Sequence, residues 1–283
     1  LLNPGDEVII FEPFYGYHVN TLKALDITPI YCRLELPEGN VCFEALEKLF
    51  SQRTKAILIN TPANPSGKIF SRREIEMIGE LACKHDVFIF TDEIYEHFVY
   101  DGLEHVSPAS LSKFKERTIS IFGCSKTFSV TGWRIGYCVC DEKWKEAIGC
   151  MNDLIYVCAP APLQVGVAQG MRELSMEYYE NIREKFQTTR DRICSALDEG
   201  GFKPMVPKGA YYVLADASFV PGRSSKEKAM RVLKESSIAS VPGCAFYHDN
   251  AGDDLLRFCF AKDDATIEKA LKKLSAMKRC RLS

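Results

Sequence analysis

Short apolar runs without polar alternation mark the first part of the chain, Val8-Ile9-Ile10-Phe11, Ala56-Ile57-Leu58-Ile59 and Val87-Phe88-Ile89-Phe90, and Thr118-Ile119-Ser120-Ile121-Phe122 is a further strand-like run. A strand with one wet face alternates, whereas a strand that is apolar throughout is covered on both sides. Helical spacing lies between the runs, as in Ile75, Ile78, Leu81 and Ala82 behind the capping box Ser71-Arg72-Arg73-Glu74. Strands alternating with helices predict an α/β fold, a mostly parallel sheet between two helical layers.

Further strands are expected over Pro29–Leu36 and Ile135–Cys140, and helices over Val19–Leu25, around Phe43, Leu46, Leu49 and Phe50, and over Trp144–Leu154. Pro160-Ala161-Pro162 interrupts the helical pattern. Met176–Leu197 reads as one long helix, a spine leaving the large unit for a smaller one. Beyond Gly200-Gly201 the pattern becomes α+β: a strand at Gly209–Leu214, a helix at Lys226–Ser236, strands at Ile238–Val241 and Leu255–Ala261, and an amphipathic helix at Ala265–Met277. The expected division is a large domain over residues 1–185 and a small one over 186–283.

With 46% hydrophobic and 26% charged residues and a net charge of -2, the chain has no basic excess that would suit nucleic acid. Its apolar runs are too short to span a bilayer. The 12 cysteines are scattered without repeated CxxC spacing, as expected of reduced thiols in a cytoplasmic protein. Cys138 and Cys140 share a strand face, but no histidine pair at ligand spacing accompanies them, so no metal is expected. The histidines His18, His85, His97, His105 and His248 are expected to serve local hydrogen bonds. No targeting segment is visible, although the chain opens on Leu1 and leaves room for one upstream.

In a parallel α/β sheet, ligands bind outside the carboxyl ends of the strands. Asn64, Asp92 and Lys126 each follow an expected strand, so an amide, a carboxylate and an amine converge on one edge. Lys126 stands between Ser125 and Thr127, with no acidic residue between Arg117 and Asp141 to pair with it locally. Partial burial lowers the pKa of such an amine and frees it as a nucleophile, most commonly for a Schiff base. Each residue alone has a plainer reading. Lys126 could be a solvated loop lysine, Asp92 an N-cap for a helix around Ile94, and Asn64 a turn residue before Pro65. Tyr15 and Tyr95 could be packing rings and Arg134 a surface charge.

The words Asn-Thr-Pro-Ala-Asn-Pro-Ser-Gly-Lys (60–68), Asp-Glu-Ile-Tyr-Glu (92–96), Ser-Lys-Thr-Phe-Ser-Val-Thr-Gly-Trp-Arg-Ile-Gly (125–136) and Leu-Arg-Phe-Cys-Phe-Ala (256–261) occur in this order. As a set they resemble the fold-type I pyridoxal-phosphate enzymes of the class I aminotransferase group, most closely the kynurenine and glutamine transaminase branch. The resemblance implies that Lys126 holds pyridoxal 5'-phosphate as a Schiff base and then moves a proton to and from the substrate α-carbon. It implies that Asp92 faces the pyridine nitrogen, that Asn64 and Tyr95 bond the ring's phenolic oxygen, and that Tyr15 stacks on the ring. Ser125 and Arg134 would clamp the phosphate, and Arg257 would receive the substrate α-carboxylate. Cis peptides are implied before Pro13 and Pro65.

The implied activity is transfer of an amino group between an L-amino acid and a 2-oxo acid by a homodimer. No arginine lies between Cys150 and Pro162 to receive a second carboxylate, which favours aromatic, sulfur-containing or amide-bearing substrates. The same residues would serve a cysteine-conjugate β-lyase. Family members carry a segment before the position of Leu1, including a phosphate-binding helix start. A fragment that binds cofactor weakly, or a non-catalytic partner subunit, is therefore a further expectation. No GxGxxG turn follows an early strand, which argues against a Rossmann dehydrogenase.

Overall fold

The computed structural model describes residues 1–277, and residues 278–283 of the expected small domain lie outside the described residues. The larger sheet contains β1 (Glu7–Glu12), β2 (Thr28–Arg33), β3 (Thr54–Asn60), β4 (Phe88–Asp92), β5 (Thr118–Gly123) and β6 (Gly136–Val139), in the order β2-β1-β3-β4-β5-β6. Pairing is parallel from β2 through β5. β1 is buried at every position, as its unbroken apolar run requires.

β6 departs from the parallel pattern. It pairs antiparallel to β5 and is exposed at every position. The reason is local: residues 124–135 are spent at the carboxyl end of β5, so the chain re-enters from that end without a crossover.

The first helices are α1 (Gly16–Ala24), α2 (Phe43–Glu47), α3 (Arg72–Lys84) and the single turn α4 (Cys124–Thr127). The capping box of α3 is formed on both sides, by Glu74 N to Ser71 Oγ and by Ser71 N to Glu74 Oε2. α5 (Glu142–Tyr156) and α6 (Ala161–Glu173) are separated by the proline-rich break, and α7 (Met176–Glu199) is the long helix. The expected domain boundary after residue 185 falls inside α7.

The second sheet, β7-β8-β10-β9, comprises β7 (Lys203–Met205), β8 (Tyr212–Asp216), β9 (Val241–Pro242) and β10 (Leu255–Cys259), all antiparallel. α8 (Ser225–Ser236) and α9 (Asp264–Ala276) accompany it. β7 had no counterpart among the expected strands, and β8 starts at Tyr212, not at Gly209. Ala210 has φ 57°, and its N–H is donated across to the Phe98 carbonyl, while Tyr100 N–H donates to Lys208 O. Residues 208–210 are thus bonded to the larger unit before the strand begins. Gly67, at φ +68°, accepts from both Lys208 N and Gly209 N. A Cβ there would lie 2.2 Å from Pro207 Cβ, which leaves glycine as the residue that fits.

The two sheets share a core. Tyr95, Phe98 and Tyr100 of the larger unit pack with Leu197 of α7, Tyr211 and Phe260 in one buried cluster. Arg190 of α7, 3% exposed, locks this junction: it makes a bidentate pair with Asp101 at 2.7 and 2.9 Å and donates to Pro207 O at 3.1 Å. The Arg190 hydrogen bonds hold Asp101 down from 3.8 to about 2. A carboxylate with a depressed folded pKa contributes stability above its ordinary value and loses it as pH falls through the folded one. Because the Asp101 carboxylate is partly exposed to solvent, Asp101→Ala is expected to cost only about 1 kcal/mol at neutral pH. Between about pH 4 and pH 2 its melting temperature should fall less steeply than the parent's, as measured by thermal denaturation.

Among the described residues no helix is long and apolar enough to cross a membrane. Cis peptides occur at Glu12–Pro13 and Asn64–Pro65, and also at Leu36–Pro37 and Thr61–Pro62. The cysteines among the described residues are unpaired.

Candidate functional site

Parallel strands deliver their carboxyl ends to one edge, and the register Asn60↔Asp92 aligns two of those ends side by side. Tyr15 follows β1 as the N-cap of α1, Asn64 follows β3, Asp92 closes β4, and Ser125 and Lys126 sit in α4 after β5. From the second sheet, β8 brings Tyr212 and β10 brings Arg257 to the same place. These residues, with Tyr95 and Arg134, border a single cavity of about 530 Å³. All eight residues expected from the sequence are thus brought together.

Each is held by its local structure. Asn60 Nδ2 donates to Asp92 O at 3.0 Å and its Oδ1 accepts Asn64 N–H at 2.8 Å, shaping the turn that turns Asn64 inward. Asn64 is 5% exposed, and its Oδ1 accepts from Arg257 Nη1 at 2.7 Å. The Arg257 guanidinium carbon lies 4.2 Å from the centroid of the Tyr212 ring and 5.1 Å from that of Phe246. Arg257 Nε is buried and has no hydrogen-bond partner.

Asp92 is bound rather than solvated: Oδ2 lies 2.9 Å from His18 Nε2, and Oδ1 accepts Ile94 N–H at 3.3 Å. No helix follows Asp92, so the carboxylate closes a turn and does not serve as an N-cap. Lys126 has its pKa lowered by burial and then by Arg134, against smaller opposing effects of Cys259 and Asp92. Ser125 is 6% exposed. Arg134 is exposed, has φ 59°, and donates to Thr131 O at 2.9 Å, so Thr131 and Arg134 form one wall of the cavity beside Ser125.

The Tyr95 hydroxyl is 3.0 Å from the Tyr212 hydroxyl, and burial first, then the neighbouring tyrosines, push its pKa far up. The Tyr15 ring meets Tyr17 at 5.1 Å and the edge of His18 at 5.3 Å.

Three histidines correct the expectation of local bonds: His18 reaches Asp92, His105 Nε2 reaches Glu93 at 2.6 Å, and His248 Nδ1 reaches Glu12 at 2.9 Å, whereas His97 does lie beside its neighbour Glu96. His18 and Tyr212, with Tyr17 and Thr131 of the cavity lining, are residues of the site that sequence reasoning did not assign. A hint existed for His18, since it lies one helical turn after Tyr15 and its N–H bonds Tyr15 O at 3.0 Å. Its partner, 74 residues away, could not be seen.

Chemically, the cavity offers a partly desolvated amine, a fixed carboxylate and a guanidinium with an unsatisfied donor. A hydroxyl–guanidinium wall suited to phosphate completes it. Among the described residues no group of three or more His, Cys, Asp or Glu gathers as a metal would need. The unpartnered Arg257 Nε marks a place for an anionic ligand, since a buried donor left unpaired is costly. The donor set fits pyridoxal phosphate with a carboxylate-bearing substrate.

Known proteins share this arrangement of chain. The profile of the family "Aminotransferase class I and II" matches residues 1–274. The chain is 33% identical to kynurenine–oxoglutarate transaminase 3 of Rattus norvegicus, over 95% of this chain and 66% of the relative. It is 31% identical to kynurenine–oxoglutarate transaminase 1 of Homo sapiens, over 98% of this chain and 73% of that protein. An aromatic aminotransferase from Pyrococcus horikoshii OT3 superposes with a TM-score of 0.92 at 30% identity, over 100% of this chain and 75% of that one. The chain thus spans about two thirds to three quarters of the length of these relatives. Sequence match, superposition and a lysine, an aspartate and an arginine meeting at the strand ends agree: the chain belongs to the class I and II aminotransferases.

Proposed function

We propose that this chain carries the active site of a pyridoxal 5'-phosphate-dependent aminotransferase that moves an amino group between an L-amino acid and a 2-oxo acid. The observation that carries the reading is one cavity bordered by Lys126 and Asp92 from the larger sheet's edge and by Arg257 from the smaller sheet. When bound, the cofactor supplies an aldehyde that condenses with amines and a ring that accepts the electrons of a deprotonated α-carbon.

The chain's own residues supply the rest. Arg257, its plane set by Asn64 and Tyr212, binds the substrate carboxylate and orients the α-carbon. Lys126 Nζ, with its lowered pKa, would hold the cofactor aldehyde and would serve as the base at the substrate α-carbon. Asp92, fixed by His18, would face the pyridine nitrogen and keep it protonated. Ser125, Thr131 and Arg134, which border the cavity, would hold the phosphate, Asn64 and Tyr95 would bond the ring's phenolic oxygen, and Tyr15 would stack on the ring.

The rings of Tyr15, Tyr17 and Tyr212 around the cavity favour aromatic amino acids, with sulfur-containing and amide-bearing ones next. Kynurenine and oxoglutarate, named for the relatives, are the first pair to test. The expected result is oxoglutarate-dependent consumption of the amino acid with formation of a new one. Ammonia and pyruvate released from a β-substituted cysteine, without a new amino acid, would favour the β-lyase reading instead. Absence of both products and of bound cofactor would remove the proposal.

A homodimer is part of the proposal. Leu154, Ile155 and Val157 at the end of α5 and Val165 of α6 are 67–78% exposed, which suits a subunit surface. A cytoplasmic location is proposed from the unpaired cysteines.

A further inference from the structure

We infer that Tyr212 is a positioning residue that ties the carboxylate-binding arginine to the Tyr95 hydroxyl, so that the two sheets present one continuous site. The inference deepens the aminotransferase reading and rests on it. In the β8–β10 ladder Tyr212 is opposite Cys259 while Arg257 is opposite Leu214, a diagonal pair on one sheet face. The Tyr212 ring therefore lies under the guanidinium, 4.2 Å from its carbon, while Asn64 Oδ1 fixes Nη1 from the other sheet at 2.7 Å. The same ring carries a hydroxyl 3.0 Å from that of Tyr95, which follows β4. Tyr212 is 8% exposed, so both contacts are made with little competing water.

Each half of the side chain has a separate job. The ring face steadies the plane of a guanidinium whose buried Nε has no protein partner. The hydroxyl restrains the Tyr95 ring on the opposite wall. Tyr212→Phe deletes the second job and keeps the first; Tyr212→Leu deletes both while remaining apolar.

The test uses the cofactor-loaded protein and two readouts. One is calorimetric binding of the unreactive carboxylate 3-phenylpropionate, and the other is steady-state transamination of an aromatic amino acid. Tyr212→Phe is expected to keep the dissociation constant and KM within about twofold and to lower kcat about fivefold, the size of one hydrogen bond. Tyr212→Leu is expected to weaken 3-phenylpropionate about tenfold and raise KM in parallel, within the range of a desolvated cation–π contact. Unchanged binding in Tyr212→Leu, or equal weakening in both variants, overturns the inference. Should Tyr212→Leu not fold, a double-mutant cycle of Tyr212→Phe with Tyr95→Phe decides: both delete the shared Tyr95–Tyr212 bond, so Tyr212→Phe should cost little further kcat in the Tyr95→Phe background, and full additivity overturns the inference. If no variant or parent turns over amino acids, the aminotransferase reading fails by itself. The calorimetric comparison still judges Tyr212.

Discussion

Lys126→Ala is expected to abolish covalent cofactor attachment and to lower transamination roughly a thousandfold or more, because one residue supplies both the amine and the proton transfer. Borohydride treatment of the parent with pyridoxal phosphate should fix a mass increment on the peptide containing Lys126, and the variant should show none there. An equal increment elsewhere in both proteins would sink the assignment. The cofactor-free protein offers a second check. Burial and Arg134 lower the Lys126 pKa, so the charged form is disfavoured and the neutral amine is reached at lower pH than for solvated lysines. An amine-reactive probe should therefore label Lys126 ahead of the exposed lysines as pH is raised from neutrality, and Arg134→Met should delay that labelling.

The second large effect is expected at Asp92. Asp92→Asn keeps the shape but removes the charge that holds a proton on the pyridine nitrogen, and kcat should fall on the order of 10²–10³-fold, as for other fixed electrostatic contacts in dry sites. KM should move much less, since the substrate carboxylate is read by Arg257 on the other sheet. His18→Phe should give a smaller loss of the same kind, because it frees the carboxylate at 2.9 Å without removing it. A KM increase matching the kcat loss in Asp92→Asn would contradict the proposed role.

The fold was legible wherever local chemistry dictated it. Unbroken apolar runs announced β1, β3 and β4, the capping box announced α3, and the long amphipathic pattern announced α7. Strand ends then pointed to Asn64, Asp92 and Lys126. The antiparallel direction of β6 was not legible, since direction depends on which end of the sheet the chain re-enters. Nor was the late start of β8, where Ala210 gives its N–H to Phe98 across the junction.

Sequence alone therefore determined the α/β layering and the cluster of chemistry at one edge, because periodicity and strand termini are properties of neighbouring residues. The tertiary structure decided which groups meet. His18 finds Asp92 across 74 positions, Arg257 finds Asn64 across 193, and Tyr212 finds Tyr95 across 117. The first pairing belongs to the larger unit's own packing and the other two to the junction of the two sheets, and no local pattern encodes a contact whose partner is supplied by a separate element.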